Sequence, residues 1–353
     1  MSYPLPRSHS VWLQITVSVL LLASCKGIIP DLQQAVATVT AFPPLTEPAS
    51  ELSQIEARIP LPQGAGAVAF SDGSIWVTNT LEHNVSRVDI QTGKAATTPI
   101  SLDFEPKEIA YGAGAVWVCS VDRSRLARID PQINQVVVEI DLSALQIPAF
   151  NFVTIAAGEG AVWITDEMNV IQIDPHTNQI VGKALPAGEE IITVALGHGT
   201  LWTGSHDDGI ISRVDAKTHS VVATIETGFS IHGLAVSEDS AWVLDEHGFG
   251  VVRIDPQSNQ LQERVPIDFI GSNLAAGAGS VWVAPAARDN GQATGNDGIA
   301  RIQEAKKETV ETIPVGDASA NAPTSEYYAV YFSEGFVWVL VNTPQASLVK
   351  IKP

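Results

Sequence analysis

The chain has 353 residues, of which 45% are hydrophobic and 17% are charged, and this composition excludes a wholly disordered chain and a polytopic membrane protein. Its 39 acidic and 20 basic residues give a formal net charge of −19, so no nucleic-acid partner is expected, because phosphate groups would be repelled. Two cysteines are too few for a disulfide-rich scaffold.

The N-terminus has the pattern of an export signal. Arg7 is followed by an apolar run over 11–23, which is too short to span a bilayer comfortably. The run ends in Leu22-Ala23-Ser24-Cys25, which resembles the bacterial lipobox, in which the cysteine is lipidated and becomes the first residue of the mature protein. The alternative is an ordinary cleavage site beside a chance cysteine. We expect a lipoprotein signal peptide over 1–24 and lipidation at Cys25.

The lipobox resemblance implies an extracytoplasmic protein that acyl chains at Cys25 hold on a membrane. Lys26 stands where an aspartate tends to retain lipoproteins at the inner membrane of diderm bacteria, so the resemblance implies the outer membrane if the cell is diderm. The segment 25–52 contains four prolines among small and polar residues. It predicts a flexible tether, followed by one domain over 53–353.

Seven tryptophans mark a repeat of near-constant length in the rest of the chain. They are Trp76, Trp117, Trp163, Trp202, Trp242, Trp282 and Trp338, at spacings of 41, 46, 39, 40, 40 and 56 residues. The surrounding sequence repeats too, as in GAGAVWV at 112–118 and GAGSVWV at 277–283. About ten residues after each Trp, an alternating segment such as Leu126–Asp130 ends in Asp, often followed by Pro and then by Asn or Gly, which favours a tight turn.

Each repeat predicts four short antiparallel strands, A to D, with the Trp on strand B and the Asp at the end of strand C. Four strands in about 40 residues are typical of a propeller blade, whereas a β-sandwich does not repeat one motif seven times and solenoid coils are shorter. The chain ends after a C strand at 347–352, and 54–60 has the pattern of an unpaired D strand. We predict an all-β, seven-bladed β-propeller of four-stranded antiparallel blades, its ring closed by this N-terminal strand in the last blade.

The repeated Val-Trp-Val, Ser-Arg-Val-Asp and Thr-Gly or Asn elements resemble those of the YVTN and virginiamycin B lyase-like propellers. The resemblance covers about residues 54–353 and implies the propeller fold. It implies little about function, because the group includes lyases, sensor domains and proteins of unknown role.

The mouth of the central channel is the expected place for a ligand, because the D–A and B–C loops share that face. Residues ten positions before each Trp begin strand A and are predicted to surround this mouth. The members with reactive or polar side chains are Lys107, His232, Ser272 and Tyr328. Two long insertions, 285–298 and 316–326, indicate either a functional rim or disordered loops.

The B–C loops contain most of the candidate chemistry. His232, Glu246 and His247 are predicted to converge on blade five as catalytic residues, because a histidine beside a carboxylate can act in general acid–base catalysis. Asp207, Asp208 and Glu246 are the predicted metal ligands, because hard cations prefer oxygen donors. The alternative is that these are solvated loop residues of an acidic protein.

The lyases of the resembled group use a His on one blade and a Glu-x-His on the next, around Mg²⁺, to open a depsipeptide ring by elimination. The segment Ile231–Ala235, IHGLA, is similar to the family's His-Gly-Ile-Ala, and this likeness implies a catalytic role for His232 and a Mg²⁺ cofactor. One blade later, Gly271–Ala275 contains neither an acid nor a second His, and the family's Trp-Phe-Thr-Glu is absent.

Two functions follow as hypotheses. The first is a monomeric, lipid-anchored propeller that binds a protein or a small molecule at its top face as a scaffold. The second is a divalent-metal-assisted lyase or hydrolase that acts on a cyclic ester or lactone. The fold alone does not separate them, because one scaffold hosts many chemistries.

Overall fold

The described strands form seven four-stranded antiparallel sheets, and in six of these sheets the strands lie side by side in chain order. The structure is a computed structural model that describes residues 52–353, apart from 63, 72, 97, 146–153, 248, 287–297, 316–326, 343–345 and the side chains of 327, 328 and 342. The predicted signal peptide, Cys25, nearly all of the tether and most of both insertions therefore lie outside the described residues. Within the described ranges, no helix has the length and hydropathy needed to cross a membrane.

The blades follow one another along the chain. An N-terminal strand, β1 (Gln54–Pro60), precedes blade one, which contains β2 (Ala65–Ser71), β3 (Ser74–Asn79), β4 (Asn84–Asp89) and β5 (Ile100–Ser101). Blade two contains β6 (Pro106–Gly112), β7 (Ala115–Ser120), β8 (Arg125–Asp130) and β9 (Gln135–Asp141), and is followed by a 3₁₀ turn at Ser143–Leu145. Blade three contains β10 (Ile155–Gly158), β11 (Ala161–Thr165), β12 (Asn169–Asp174) and β13 (Gln179–Pro186).

Blade four contains β14 (Ile191–Gly197), β15 (Thr200–Ser205), β16 (Ile210–Asp215) and β17 (Ser220–Glu226). Blade five contains β18 (Ile231–Val236), β19 (Ala241–Asp245), β20 (Gly250–Asp255) and β21 (Gln260–Pro266). Blade six contains β22 (Gly271–Gly277), β23 (Ser280–Pro285), β24 (Gly298–Gln303) and β25 (Glu308–Pro314). Blade seven contains β26 (Tyr327–Ser333), β27 (Phe336–Asn342) and β28 (Ser347–Lys352).

The ring closes through the N-terminal strand. β1 pairs antiparallel with β28, from Gln54 opposite Lys352 to Pro60 opposite Ser347, and so becomes the fourth strand of blade seven. Ile59 of β1 is buried in the same core cluster as residues of blades one and seven. The predicted closure is confirmed, and its physical advantage is that β28 has no unpaired edge.

The seven tryptophans occupy matching places in successive sheets. Each lies on strand B and is at most 1% exposed, within the apolar layers between neighbouring blades. Burying an indole of about 200 Å² at about 25 cal/mol per Å² contributes on the order of several kcal/mol before entropy is counted. The predicted structural role of the repeated Trp is thereby confirmed.

The A–B turns explain the repeated glycines. In blade two, Ala113 and Gly114 have φ of 51° and 73°, a pair of left-handed residues that matches the right-handed twist of the flanking strands. Gly112 precedes this turn at a close approach between blades, since a Cβ there would lie 2.1 Å from the carbonyl oxygen of Ala157. Glycine suits the left-handed conformation at 114, and the blade spacing leaves no room for a Cβ at Gly112.

An arginine on strand C joins successive blades at the face opposite the predicted site. Arg128 pairs across the sheet with Trp117, with its guanidinium 5.2 Å from the indole centroid. Its Nη1 donates to the carbonyl of Pro175 at 2.7 Å and to Oδ1 of Asn178 at 2.8 Å, both in the C–D turn of blade three. Arg87 and Arg213 make the same pair of contacts with the turns of blades two and five. The repeated Arg therefore supplies the donors, and the Asp-Pro-x-x-Asn turn of the next blade supplies the acceptors, of the same inter-blade hydrogen bonds.

Strand A is the innermost strand of every blade, and each strand A contacts the next one around the ring from blade one to blade seven. Strand A residues of every blade except blade three line a central cavity of about 450 Å³. The start of each strand A, together with the D–A and B–C loops, forms what we call the top face.

Candidate functional site

Strand A of five blades carries a β-bulge at its upper end. The register shifts fall between Ala65 and Val68, Pro106 and Ile109, Ile191 and Thr193, Ile231 and Gly233, and Gly271 and Asn273. In blade five, Ile231 is opposite Asp245 and Gly233 is opposite Leu244, so His232 has no cross-strand partner. A bulge releases a residue from the ladder and redirects its side chain.

The bulges hold three of the four predicted channel-mouth residues. His232 and Lys107 lie in the bulges of blades five and two and are partly exposed. Ser272 lies in the bulge of blade six, where its Oγ donates to the carbonyl of Pro285 at 2.9 Å. Tyr328 instead pairs regularly with Val341, and its side chain is outside the described residues.

A histidine and a glutamate from neighbouring blades form the centre of the site. His206 and Glu246 each stand four residues after the Trp of their blade, directly beyond strand B. Their backbone N–H groups donate to the carbonyls of Glu190 and Ser230, at 3.0 and 3.2 Å, which fixes each B–C loop against the preceding D–A loop. Nε2 of His206 lies 2.9 Å from Oε2 of Glu246.

His232 completes a group of three. Its Nδ1 lies 3.8 Å from Oε1 of Glu246, and this buried nitrogen has no hydrogen-bond partner in the described part of the chain. One donor atom from each of His206, His232 and Glu246 lies within 4.8 Å of the other two. Burial lowers the pKa of His232, against the opposing effect of the Glu246 charge, and this favours the neutral imidazole, the form of histidine that ligates metals.

Two carboxylates stand behind His206. Its Nδ1 is 3.1 Å from Oδ1 of Asp207 and 3.3 Å from Oε2 of Glu190. Burial and the adjacent Asp207 carboxylate raise the pKa of Glu190, whereas hydrogen bonds from His206 and Glu190 lower the pKa of Asp207. Of the two carboxylates, Asp207 is therefore the more readily ionised partner of the imidazole.

Partial burial opposes protonation of His206, but hydrogen bonds to Asp207 and Glu246 and the charges of Glu246 and Glu190 outweigh it and raise its pKa. The raised pKa favours a proton on Nε2 of His206, which lies 2.9 Å from Oε2 of Glu246. A cation that bound between these atoms would displace that proton, as metal binding to histidine generally does.

The remaining predicted residues take different places. Asp208 lies outside both groups of convergent donors, because its carboxylate accepts hydrogen bonds from Ser205 Oγ and from the backbone N–H groups of Glu189 and Ile210, and so it closes the loop. His247 is 78% exposed, with Nδ1 3.3 Å from Glu246 Oε2. Of the predicted metal ligands, Asp207 and Glu246 therefore belong to the convergent groups, but on opposite nitrogens of His206.

Sequence reasoning did not select His206 or Glu190 as site residues. His206 could have been predicted, because it occupies the same position in the repeat of blade four as Glu246 does in blade five. Glu190 could not have been predicted from the repeat, since it lies in a D–A loop whose length varies among the blades. Its left-handed φ of 55° is visible only in the structure.

The sequence matches no family model and no curated protein. Among solved structures, the chain is similar to the selenomethionine-substituted virginiamycin B lyase from Staphylococcus aureus, with 17% identity and a TM-score of 0.66 over 86% of this chain and 100% of that chain. It is also similar to a streptogramin B lyase structure, with 16% identity and a TM-score of 0.65 over 85% of this chain and 98% of that chain.

A third similar structure is the hydrazine synthase of Kuenenia stuttgartiensis, with 14% identity and a TM-score of 0.61 over 82% of this chain and 96% of that chain. At these identities the likeness to the two lyases shows a shared seven-bladed fold, as the family resemblance of the sequence implied. Proteins with these different names share one scaffold, so the function has to be argued from the side chains of the site.

Proposed function

We propose that the chain is a lipid-anchored, extracytoplasmic propeller that binds its ligand at the top face through a divalent cation held by His206, His232 and Glu246. The observation that carries this proposal is that one donor atom from each of the three residues lies within 4.8 Å of the other two, and that Nδ1 of His232 is buried with no hydrogen-bond partner among the described residues. Buried polar atoms in proteins are nearly always satisfied, so a group that bonds to this nitrogen is expected.

The donor chemistry supports a cation. Two imidazole nitrogens and one carboxylate suit Zn²⁺ or Mn²⁺, and Mg²⁺ less well because it prefers oxygen donors. Asp207 and Glu190 contact the other nitrogen of His206, the arrangement that orients a ligating histidine and fixes which nitrogen carries its proton. Three protein ligands leave further positions for oxygen atoms of a small molecule or a protein partner at the channel mouth.

The test is a calorimetric titration of the metal-free protein with Zn²⁺, Mn²⁺ and Mg²⁺ separately. We expect one cation per chain, and an affinity that falls by at least about tenfold in His206→Ala and Glu246→Gln, since each variant removes one of three ligands. His176→Ala is the matched control, because His176 is 88% exposed and lies in the C–D turn of blade three. Equal affinities in all four proteins, with circular dichroism unchanged, would refute the site.

The anchor is supported by the sequence around Cys25, which resembles a lipobox. Mass spectrometry of the mature protein should find residue 25 at the N-terminus with acyl chains attached. Cys25→Ala should move the protein from the membrane fraction to the soluble fraction, without altering metal binding by the propeller. A mature N-terminus at another residue would refute the proposed lipid anchor but would not affect the proposed metal site.

A second candidate function is a metal-assisted lyase or hydrolase acting on a cyclic ester or lactone. It is favoured by the fold shared with two lyases and by the position of His232 beside Glu246. In an elimination, a base takes the proton next to the carbonyl, the C–O bond breaks, and the ester oxygen leaves as a carboxylate. A bound cation would supply polarisation of the carbonyl, and the nearby histidines could hold the proton.

Mass spectrometry distinguishes these outcomes for a panel of cyclic depsipeptides and lactones. Elimination opens the ring with no change in mass, hydrolysis adds the mass of one water, and a scaffold leaves the ring closed. A cleavage that requires the cation and is lost in His232→Ala would favour the enzyme. Binding without turnover would favour the scaffold.

A further inference from the structure

The arginine contact that joins other blades is replaced by a pocket between blades five and six. Arg253 is the repeat equivalent of Arg128, but its Nη1 donates to Oε1 of Gln262 at 2.6 Å, on strand D of its own blade. The C–D turn of blade six reads QEAKK at 303–307, so Lys307 stands where the turns of blades two, three and five place the acceptor Asn. A lysine accepts no hydrogen bond, and its charge repels a guanidinium. The sequence of this turn therefore explains why Arg253 does not bind the next blade.

The A–B turn of blade five departs from the repeat beside the same contact. In blades two, three, four, six and seven this turn contains a left-handed pair, such as Ala278 and Gly279 with φ of 51° and 66°. In the turn 237–240 neither central residue is left-handed, and the N–H of Ser237 donates to the carbonyl of Ser240 at 2.8 Å. Two turns that differ from the repeat thus meet at the bottom face, the face of the A–B and C–D turns.

A cavity of about 580 Å³ lies between these turns, and none of the proposed metal ligands is among its lining residues. The charged and larger apolar members of the lining are Glu238, Asp239, Arg253, Glu304, Ala276 and Phe332. One guanidinium and three carboxylates therefore surround the same space, beside an apolar wall. Such a lining complements a ligand that has both an anionic and a cationic group.

Two charged side chains of this lining are held in place while one atom of each stays available. Nε of Arg253 donates to Oγ of Ser240 at 2.6 Å, and its Nη2 has no acceptor among the described residues. Oε2 of Glu304 accepts from Oγ of Ser237 at 2.9 Å and from Nε1 of Trp242 at 3.3 Å. Its Oε1 has no donor in the described part of the chain. The pocket thus offers one charged donor and one charged acceptor on side chains that are already ordered.

We propose that this pocket is a second binding site, distinct from the metal site, which takes a free α-amino acid with an apolar side chain. The carboxylate of the ligand accepts from Nη2 of Arg253, and its ammonium group donates to Oε1 of Glu304. The apolar side chain packs against Phe332 and Ala276. Both polar contacts are charge-assisted, which makes them about twice as strong as neutral hydrogen bonds, and the cavity volume lies within the range of small-molecule pockets.

The test compares L-leucine with N-acetyl-L-leucine, which lacks the ammonium group, and with L-leucinamide, which lacks the carboxylate. Calorimetry should find leucine bound about tenfold more tightly than either analogue, the ratio expected when one charge-assisted hydrogen bond is lost. In Arg253→Met the preference over leucinamide should fall to near one, and the preference over N-acetyl-leucine should remain. Glu304→Gln should show the opposite pattern. Arg125→Met is the control, because Arg125 lies on strand C of blade two and is 39% exposed.

Further measurements separate this pocket from the metal site and from a purely structural role of its charged residues. His206→Ala should bind leucine as the wild type does, so failure of the metal site would not affect the result. Absence of leucine binding, equal binding of the three compounds by the wild type, or unchanged ratios in both pocket variants would overturn the proposal. A lower melting temperature of the variants with unchanged ratios would also overturn it, because it would assign Arg253 and Glu304 a structural role only.

Discussion

The contacts between Arg128 and the next blade predict a large loss of stability in Arg128→Met. Methionine keeps the apolar stem beside Trp117 but cannot donate to Pro175 O and Asn178 Oδ1. A hydrogen bond from a charged donor contributes about 1.5–3 kcal/mol, and a partly buried cation–π contact adds about 0.5–1 kcal/mol. Because the site is only partly buried, we expect a loss of about 3 kcal/mol in the free energy of unfolding.

Denaturant unfolding followed by tryptophan fluorescence measures this loss, provided that circular dichroism gives the same transition. Arg125→Met is the matched control, because Arg125 lies on the same strand, is 39% exposed and makes surface ion pairs, which are worth less than about 1 kcal/mol. A double-mutant cycle with Asn178→Ala should give a coupling of about 1 kcal/mol. The proposed inter-blade role of Arg128 would be refuted if Arg128→Met lowered the free energy of unfolding no more than Arg125→Met, or if the coupling with Asn178 were near zero.

Three further predictions concern ring closure, acid stability and the core thiol. Ile59→Asp should lower the unfolding free energy by more than about 3 kcal/mol, because it buries a charge on the closing strand, whereas Ile55→Asp, at a position that is 44% exposed, should lower it little; equal losses would contradict the closure. The pKa of Asp215 is lowered, chiefly because the backbone N–H of Thr218 donates to its carboxylate, so this group contributes stability above its unfolded pKa of about 3.9 and the contribution is lost as the pH falls through the lower folded value. The unfolding free energy measured against pH should therefore fall less steeply in acid for Asp215→Asn than for the wild type, and parallel curves would contradict the argument. Burial raises the pKa of Cys119 to about 12, with a smaller contribution from the charge of Glu108, so iodoacetamide should label the Cys119 peptide only after unfolding; labelling of the native protein at the same rate would contradict this burial.

The fold could be predicted from the sequence because its main determinants are local and repeated. Each Trp lies between two sheets that are themselves repeats, so the same packing problem recurs and the same residue solves it seven times. The closing strand could also be predicted, because apolar and polar residues alternate over 54–60 and the last blade lacks one strand in the sequence. The inter-blade contact of Arg128 could not be predicted from the sequence. Its partners lie 47 and 50 residues away in the next repeat, and only the geometry of the ring brings them together.

The candidate site was predicted in part, and the missing part has a physical cause. His232 and Glu246 belong to one blade, so their approach could be inferred from one repeat, and the structure places them 3.8 Å apart. His206 comes from the preceding blade and Glu190 from the loop before that, so their approach depends on the distance between blades and on the bulge that frees His232. Neither quantity is encoded in a single repeat.

A side chain between two blades packs against both sheets, whereas a side chain at the channel mouth packs on one side only. This difference explains which positions of the repeat vary from blade to blade. Between blades, a change of side chain would disturb two sheets, so Trp recurs there throughout. At the mouth, each blade can carry a different residue at a matched position, as the bulges do with Lys107, His232 and Ser272. A site in such a ring is therefore found by comparing one repeat position across all blades.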